Sequence, residues 1–290
     1  MTDFAAALLP EAKPLSEAEY RALPAMNWST LSAGRSSLAH LKDRIDHPRE
    51  DKECFSLGRA THCLVLEPGA FDTRWAVWSG ADRRTKAGKA EWAKFSEENA
   101  GREIIDVADW DTARHMADAV LANRDVATLL QGGEAERVLT WTDADSGIAC
   151  KGRADYLTPE TLVDLKTTKD ASPRGFARAA YSYGYFSQLA FYCDGAESID
   201  QAPRHAFVIT VETARPFVCQ VYDVPPADLE IGRYEYRRLL DAYKAALASD
   251  RWQGYAERVL PLSVPRWAVA AMEVESESEA QDSAEYSEPF

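Results

Sequence analysis

The sequence predicts an α/β protein, and three observations carry that reading. Apolar residues recur at helical spacing through about residues 29–130. The spacing shortens to the two-residue alternation of strands over about residues 136–167, then helical spacing returns from residue 172. A hydrophobic content of 46% with 28% charged residues supplies an ordinary core beneath a charged surface.

In chain order, residues 1–24 are rich in Ala, Pro and Glu without a period, so residues 1–26 read as a loosely attached arm. Asn27-Trp28-Ser29 opens a helix through about Ile45, with Ser29 as its cap. The polar stretch 46–53, with Pro48, reads as a loop. A second helix over Phe55–Leu66 is closed by Pro68-Gly69. The basic run 79–90 leads into a helix near Glu91–Asn99. Asp109 caps a further helix to about Leu130, which Gly132-Gly133 ends.

Strands are expected over Glu136–Trp141 and Ile148–Leu157, joined by D-A-D-S-G at 143–147, and a third over Thr161–Thr167. Ser172-Pro173 starts a long helix to about Asp194, with the proline in the tolerated first turn. Strands at His205–Glu212 and Phe217–Val224 flank Ala214-Arg215-Pro216, and a charged amphipathic helix runs from Pro226 to about Ser249. This divides the chain into an arm (1–26), one domain (27–267) and an acidic tail (268–290) expected to be disordered.

Several classes are disfavoured. No run of eighteen apolar residues occurs and the N-terminus lacks a basic stretch, so neither a membrane span nor a secretory signal is expected. Five scattered cysteines without a C-x-x-C pair suit a reducing cytoplasm. Phosphate-cradling and nucleophile-elbow glycine motifs are absent, as is H-E-x-x-H. The net charge is −14, and seven acids of the tail leave −7 on the rest, so a polyanionic partner would need a local basic patch.

The most informative string is G-R-A-D-Y-L-T-P-E-T-L-V-D-L-K-T-T at 152–168. The Thr158–Glu160 turn folds two apolar runs together and can bring Asp155 beside Asp164. Alternation puts Leu162, Asp164 and Lys166 on one side of the strand and buries Val163 and Leu165 on the other. Facing carboxylates repel unless a cation or shared proton lies between them. Oxygen ligands suit Mg²⁺ or Mn²⁺, with Lys166 in reach of whatever the metal holds. That is the layout of a metal-dependent phosphodiesterase.

A second string, L-G-R-A-T-H-C-L-V-L-E-P at 57–68, places His62 mid-helix and Glu67 at the helix end. Taken alone, such a histidine is more often a packed core residue. Gln188 and Tyr192 share a face of the helix after the strands. Arg83, Arg84, Lys86 and Lys89 form the one dense basic cluster, of the kind that positions DNA without reading its sequence.

The order helix, three strands, helix, strand resembles the restriction-endonuclease-like, or PD-(D/E)xK, core (αβββαβ), which implies a mixed central sheet flanked by helices. D-x-K stands here where E-x-K is more usual. Within that fold the chain resembles the RecE-type phage exonucleases (exodeoxyribonuclease VIII). The shared motifs are G-x-A-x-H-x-x-x-L-E-P (Gly58, Ala60, His62, Leu66, Glu67, Pro68), D-R-R-T-K-A-G-K-A-E-W at 82–92, and Glu136 before Trp141. K-G-R-A-D-Y-L, V-D-L-K-T-T and Y-S-Y-G-Y-F-S-Q-L-A-F-Y at 181–192 complete them. The likeness spans about residues 27–267. The acidic tail, and the lack of a long N-terminal extension that some members carry, are departures.

The resemblance implies a Mg²⁺- or Mn²⁺-dependent deoxyribonuclease. Asp155, Asp164 and the Leu165 carbonyl would hold the metal, and His62 would be a ligand or a water-positioner. Glu67 or Glu136 would complete a second metal position. Lys166 would orient or deprotonate water, or neutralise charge on phosphorus. Gln188 and Tyr192 would meet the departing phosphate; apart from the resemblance, Arg35, near the first helix, is a candidate for a terminal phosphate. Linear double-stranded DNA would be degraded from 5′ ends by a homo-oligomeric ring, leaving 3′ strands for a single-strand annealing protein. A bacterial cytoplasm and a phage or prophage gene are implied with it. Rival expectations are an endonuclease, a CRISPR-adaptation-like nuclease without its iron–sulfur cluster, and a non-catalytic DNA-binding module.

Overall fold

A computed structural model describes residues 17–48 and 56–266. The acidic tail, and Phe55 at the expected start of the second helix, lie outside the described residues. One compact unit ends at Gln253 and a second begins at Gly254.

The helices of the compact unit are α1 (Glu17–Ala22), α2 (Trp28–Leu31), α3 (Leu38–Asp46), α4 (Ser56–Leu66), α5 (Phe71–Arg74) and α6 (Lys86–Glu98). They continue with α7 (Val107–Leu121), α8 (Arg124–Leu129), α9 (Pro173–Tyr183), α10 (Tyr185–Asp200) and α11 (Pro226–Ser249). The strands are β1 (Trp75–Trp78), β2 (Glu103–Asp106), β3 (Glu134–Thr142), β4 (Ala149–Leu157), β5 (Thr161–Thr168), β6 (His205–Glu212) and β7 (Cys219–Val224).

The expected α/β class with a mixed, helix-flanked sheet is what the chain forms. Five strands run in the order β3-β4-β5-β6-β7. All neighbours are antiparallel except β5 and β6, which α9 and α10 connect as a parallel pair. Both faces of the sheet are covered, so β5 is buried on both sides. Leu162 packs with Leu189 and Phe191 of α10 and Tyr236 and Leu240 of α11. Val163 and Leu165 pack with Val65 of α4 and Met116 and Val120 of α7.

Several helices are shorter or more broken than periodicity suggests. Asn27, not Ser29, is the first cap, its Oδ1 accepting from the Thr30 amide at 2.8 Å. The expected single helix to Ile45 divides into α2, a 3₁₀ turn (Ser32–Arg35) and α3, which Ser37 recaps. Thr85 starts α6 before the expected Glu91, through a 2.9 Å bond from the Gly88 amide. The helix expected from Asp109 to Leu130 begins at Val107 and divides at Asn123, whose side chain caps α8.

β1 and β2 were not anticipated. They form a separate two-stranded parallel sheet, with Trp75 and Ile105 packed on Ala60 and Cys63 of α4. Each is only four residues long, too short to establish a period. Residues 17–26, expected in a loose arm, are docked. Met26 exchanges backbone hydrogen bonds with Ala149 and Lys151, and the Lys151 ammonium donates to the carbonyls of Tyr20, Arg21 and Leu23. Among the described residues, no helix is long and apolar enough to cross a membrane.

Candidate metal centre and active site

The site lies where β4 and β5 part. Their paired positions are Tyr156 with Val163 and Leu157 with Leu162. One step further, the same register puts Asp155 opposite Asp164, but the ladder has ended. Instead the Asp155 carboxylate reaches across and accepts from the Leu165 amide at 2.7 Å. A side chain thus satisfies a backbone donor that the diverging strand leaves behind.

The pleat also changes phase here. Ala154 belongs to the cluster under α10, whereas Tyr156, two residues on, packs in the cluster with α4 and α7. Side chains two apart on a regular strand share a face, so the alternation breaks at Asp155. Across from it, Glu136 has a left-handed backbone, φ 50°. Non-glycine residues rarely adopt that conformation, and its recurrence at ligand sites is a known use of strain.

The break gathers three ligand-bearing side chains. One donor atom each from His62, Glu136 and Asp155 lie within 4.8 Å of one another. His62 projects from α4, with Nδ1 3.7 Å from Asp155 Oδ2. Glu136 is also held by Arg153 at 3.0 Å. Burial lowers the His62 pKa from its ordinary value, against the pull of Asp155, which favours the neutral, metal-binding imidazole. Burial pushes Glu136 up to about 7, and the nearby Asp155 charge adds to it.

Asp164 takes a different set of partners. Its Oδ2 lies 2.6 Å from Lys166 Nζ, and its Oδ1 accepts from Gln188 Nε2 at 3.4 Å. Tyr192 lies one turn beyond Gln188 on α10 and is buried. Lys166 Nζ sits 5.0 Å from the centre of the Tyr185 ring. Burial pushes Asp164 up to about 6, with Lys166 opposing and Asp155 adding to the shift. For Lys166, burial favours the neutral amine, but Asp164 and Asp155 outweigh it and its pKa rises.

A divalent cation fits this arrangement. His62, Glu136 and Asp155 bring ligand atoms within 4.8 Å of one another, and Asp164 adds a buried carboxylate whose Oδ2 has the Lys166 ammonium as its counter-charge. A set of one imidazole and acidic oxygens suits Mn²⁺ better than Mg²⁺. The Leu165 carbonyl, an expected ligand, belongs to the residue whose amide binds Asp155.

Other expected site residues have partners of their own away from this cluster. Glu67 is engaged by Arg74 in a two-pronged ion pair, with Arg74 Nη2 2.8 Å from Glu67 Oε1, and is not in the His62 cluster. Arg35, expected at a terminal phosphate, is turned inward. It donates to the Ser182 and Tyr181 carbonyls at 2.7 and 2.9 Å and to Glu235 at 3.0 Å. The basic cluster lies in the β1–α6–β2 segment and is partly neutralised. Arg83 pairs with Asp106 and stacks on Trp92, and Arg84 pairs with Asp82. Lys86 and Lys89 lie in the first turns of α6.

Sequence reasoning passed over Arg153 and Tyr185. Arg153 stands two residues before Asp155 in the quoted string, and same-face spacing could have flagged it. Tyr185 reaches Lys166 only through the turn between α9 and α10, which left no signal.

Comparison with known proteins bears on the same core. A family model described as a PDDEXK-like domain of unknown function (DUF3799) matches residues 29–260. The chain belongs to that PDDEXK-like family. This places it in the PD-(D/E)xK nuclease superfamily. A crystal structure from Eubacterium rectale, named "Putative exonuclease", shares this PDDEXK-like chain's fold. Its TM-score is 0.57 at 13% identity, over 90% of this chain and 99% of that one. A structure of LHK-Exo in complex with dAMP aligns at a TM-score of 0.27 and 12% identity, over 69% of this chain and 97% of that one. No curated protein matches the sequence significantly.

Proposed function

We propose that this PDDEXK-like protein is a divalent-metal-dependent deoxyribonuclease that hydrolyses linear double-stranded DNA from its ends. The observation that supports this most is the meeting of His62, Glu136 and Asp155 beside the buried Asp164–Lys166 pair where β4 and β5 separate. Two sets of groups serve different needs there. His62, Glu136, Asp155 and Asp164 would hold one or two Mg²⁺ or Mn²⁺ ions, with the Leu165 carbonyl alongside. Bound metal lowers the pKa of water and polarises the scissile phosphate.

The remaining residues orient and neutralise. Lys166, held between Asp164 and the Tyr185 ring, is cationic, and we assign it to stabilising charge on the phosphorus rather than to taking a proton. Gln188 fixes the Asp164 carboxylate, and Tyr192, buried one turn along α10, is assigned to supporting Gln188. Both act as positioning residues, in addition to any contact with the departing phosphate. Lys86 and Lys89, with Arg83 and Arg84 if their acidic partners release them, are the cations that would meet the DNA backbone.

The finer reading is a 5′-to-3′ exonuclease that leaves 3′ single strands for a strand-annealing partner in phage recombination, working as a homo-oligomeric ring in a bacterial cytoplasm. A ring would let an acidic exterior coexist with a cationic lumen. The deciding experiment compares linear with covalently closed circular DNA, labelled separately at each end, in Mg²⁺, Mn²⁺ and EDTA. Release of 5′ label from linear DNA, with circles intact, is the expected result. Cutting of circles would make the protein an endonuclease. If neither substrate is cut with either metal, the catalytic reading is lost and a DNA-binding module remains. Lys166→Ala should lower turnover by at least about 100-fold while circular dichroism and DNA binding persist.

A further inference from the structure

The corner between α9 and α10 is built with unusual constraint. Gly184 joins them with φ 74°, and a Cβ there would lie 2.9 Å from Trp28 Cζ2 and 3.1 Å from Arg35 Nη1. Arg35 binds the last carbonyls of α9, so the corner is held from below. Its effect is to bring Tyr183, which ends α9, to Tyr185, which begins α10, with ring centres 5.7 Å apart. Tyr185 carries the Lys166 ammonium over its ring. Tyr183 keeps 66% of its surface exposed.

A cleft of about 390 Å³ separates these rings from the end of β5, and Thr167, Lys169 and Thr213 line it with them. That volume falls within the range of roughly 300–1,000 Å³ usual for small-molecule sites. An aromatic wall takes a nucleobase by stacking, whatever the base. The Lys169 ammonium is a donor suited to a phosphate. Asp170, also at the cleft, is occupied in accepting from the Ser172 amide at 2.8 Å. Bases inside a duplex have both faces stacked on neighbours, so the ring of Tyr183 can serve only a base that has left the helix or the outer face of a terminal pair, and a cleft of this size suits one nucleotide rather than a pair.

We propose that this cleft is a subsite for one unpaired nucleotide, its base against Tyr183 and its phosphate toward Lys169. The inference deepens the nuclease reading and rests on it, because Tyr185 is shared between the cleft and Lys166. It makes the substrate a frayed end, and it gives Arg35 a purpose as the residue that positions the corner.

The test uses the full chain and a single-stranded oligonucleotide carrying 2-aminopurine, in EDTA so that nothing is cut. Stacking quenches the probe. Wild-type protein is expected to quench it, and Tyr183→Phe to quench it equally. Tyr183→Leu should lose the quench and weaken binding about tenfold, the scale of one lost base–aromatic stack. Lys169→Ala should make binding less sensitive to salt. Absence of quenching by the wild type, or unchanged quench and affinity in Tyr183→Leu, overturns the subsite. Cleavage of linear duplex in Mn²⁺ is scored separately. A protein that quenches but does not cut retains the subsite and loses the nuclease reading; one that cuts without quenching does the reverse.

Discussion

Glu136→Gln in the metal-free protein isolates the electrostatic cost of assembling this site. Burial and the Asp155 charge raise the Glu136 carboxyl from its ordinary 4.5 to about 7. At about 1.4 kcal/mol per pH unit, keeping it ionised in the folded state costs up to about 3 kcal/mol. Because the folded pKa is the higher one, Glu136 favours folding fully below about pH 4.5. That contribution is lost as pH rises through about 7. Glutamine has the same shape, carries no charge and can still accept from Arg153. The variant should therefore be the more stable protein at pH 8 in EDTA, by roughly 6–12 °C in melting temperature.

The advantage should fade at pH 5, where Glu136 is protonated. Millimolar Mn²⁺ should reverse the order at pH 8, since binding stabilises the folded state in proportion to affinity and the variant has lost a ligand. Thermal melts at the two pH values, with and without Mn²⁺, check all of this. A variant no more stable than wild type at pH 8, or one equally displaced at pH 5, would show that Glu136 is not under the field described.

His62→Gln should weaken Mn²⁺ binding by roughly 10- to 100-fold, the scale of removing a member or supporter of a metal site, read by titration calorimetry. Arg35→Met should lower stability by about 2 kcal/mol through the lost charged hydrogen bonds. The salt dependence of duplex binding should stay unchanged, whereas an arginine on phosphate would alter it. Gly184→Ala should cost at least about 1 kcal/mol, since both the backbone angle and Trp28 oppose a methyl group there, seen as a lower denaturation midpoint.

Much of the scaffold was legible because its signals are local. The alternation over Thr161–Thr168, the Thr158–Glu160 turn and the proline-led starts of α9 and α11 each need only neighbouring residues, and the structure forms them there. Helix breaks were harder. Asn123 and Gly184 interrupt patterns whose apolar period continues past them, because capping and close approach override periodicity.

The aspartates at 155 and 164 could be singled out by type and spacing, and their opposition follows from hairpin register. Which groups join each of them could not. His62 comes to Asp155 only because α4 packs on that face of the sheet, and Glu136 only because its backbone turns left-handed where the pleat slips. Lys166 meets Asp164 by strand alternation, yet its seat on Tyr185 depends on a corner that Arg35 and Trp28 hold from distant parts of the chain. Arg35 shows the limit most directly: its charge was plain in the sequence, but only packing decides whether a guanidinium faces water or two carbonyls. Local chemistry thus determined the strands, the turn and the carboxylates. The burial and convergence that shift their pKa values, and commit some charges to the fold rather than to a ligand, arise from contacts between separate elements, such as His62 with Asp155 and Arg35 with Tyr181, which no short window of sequence contains.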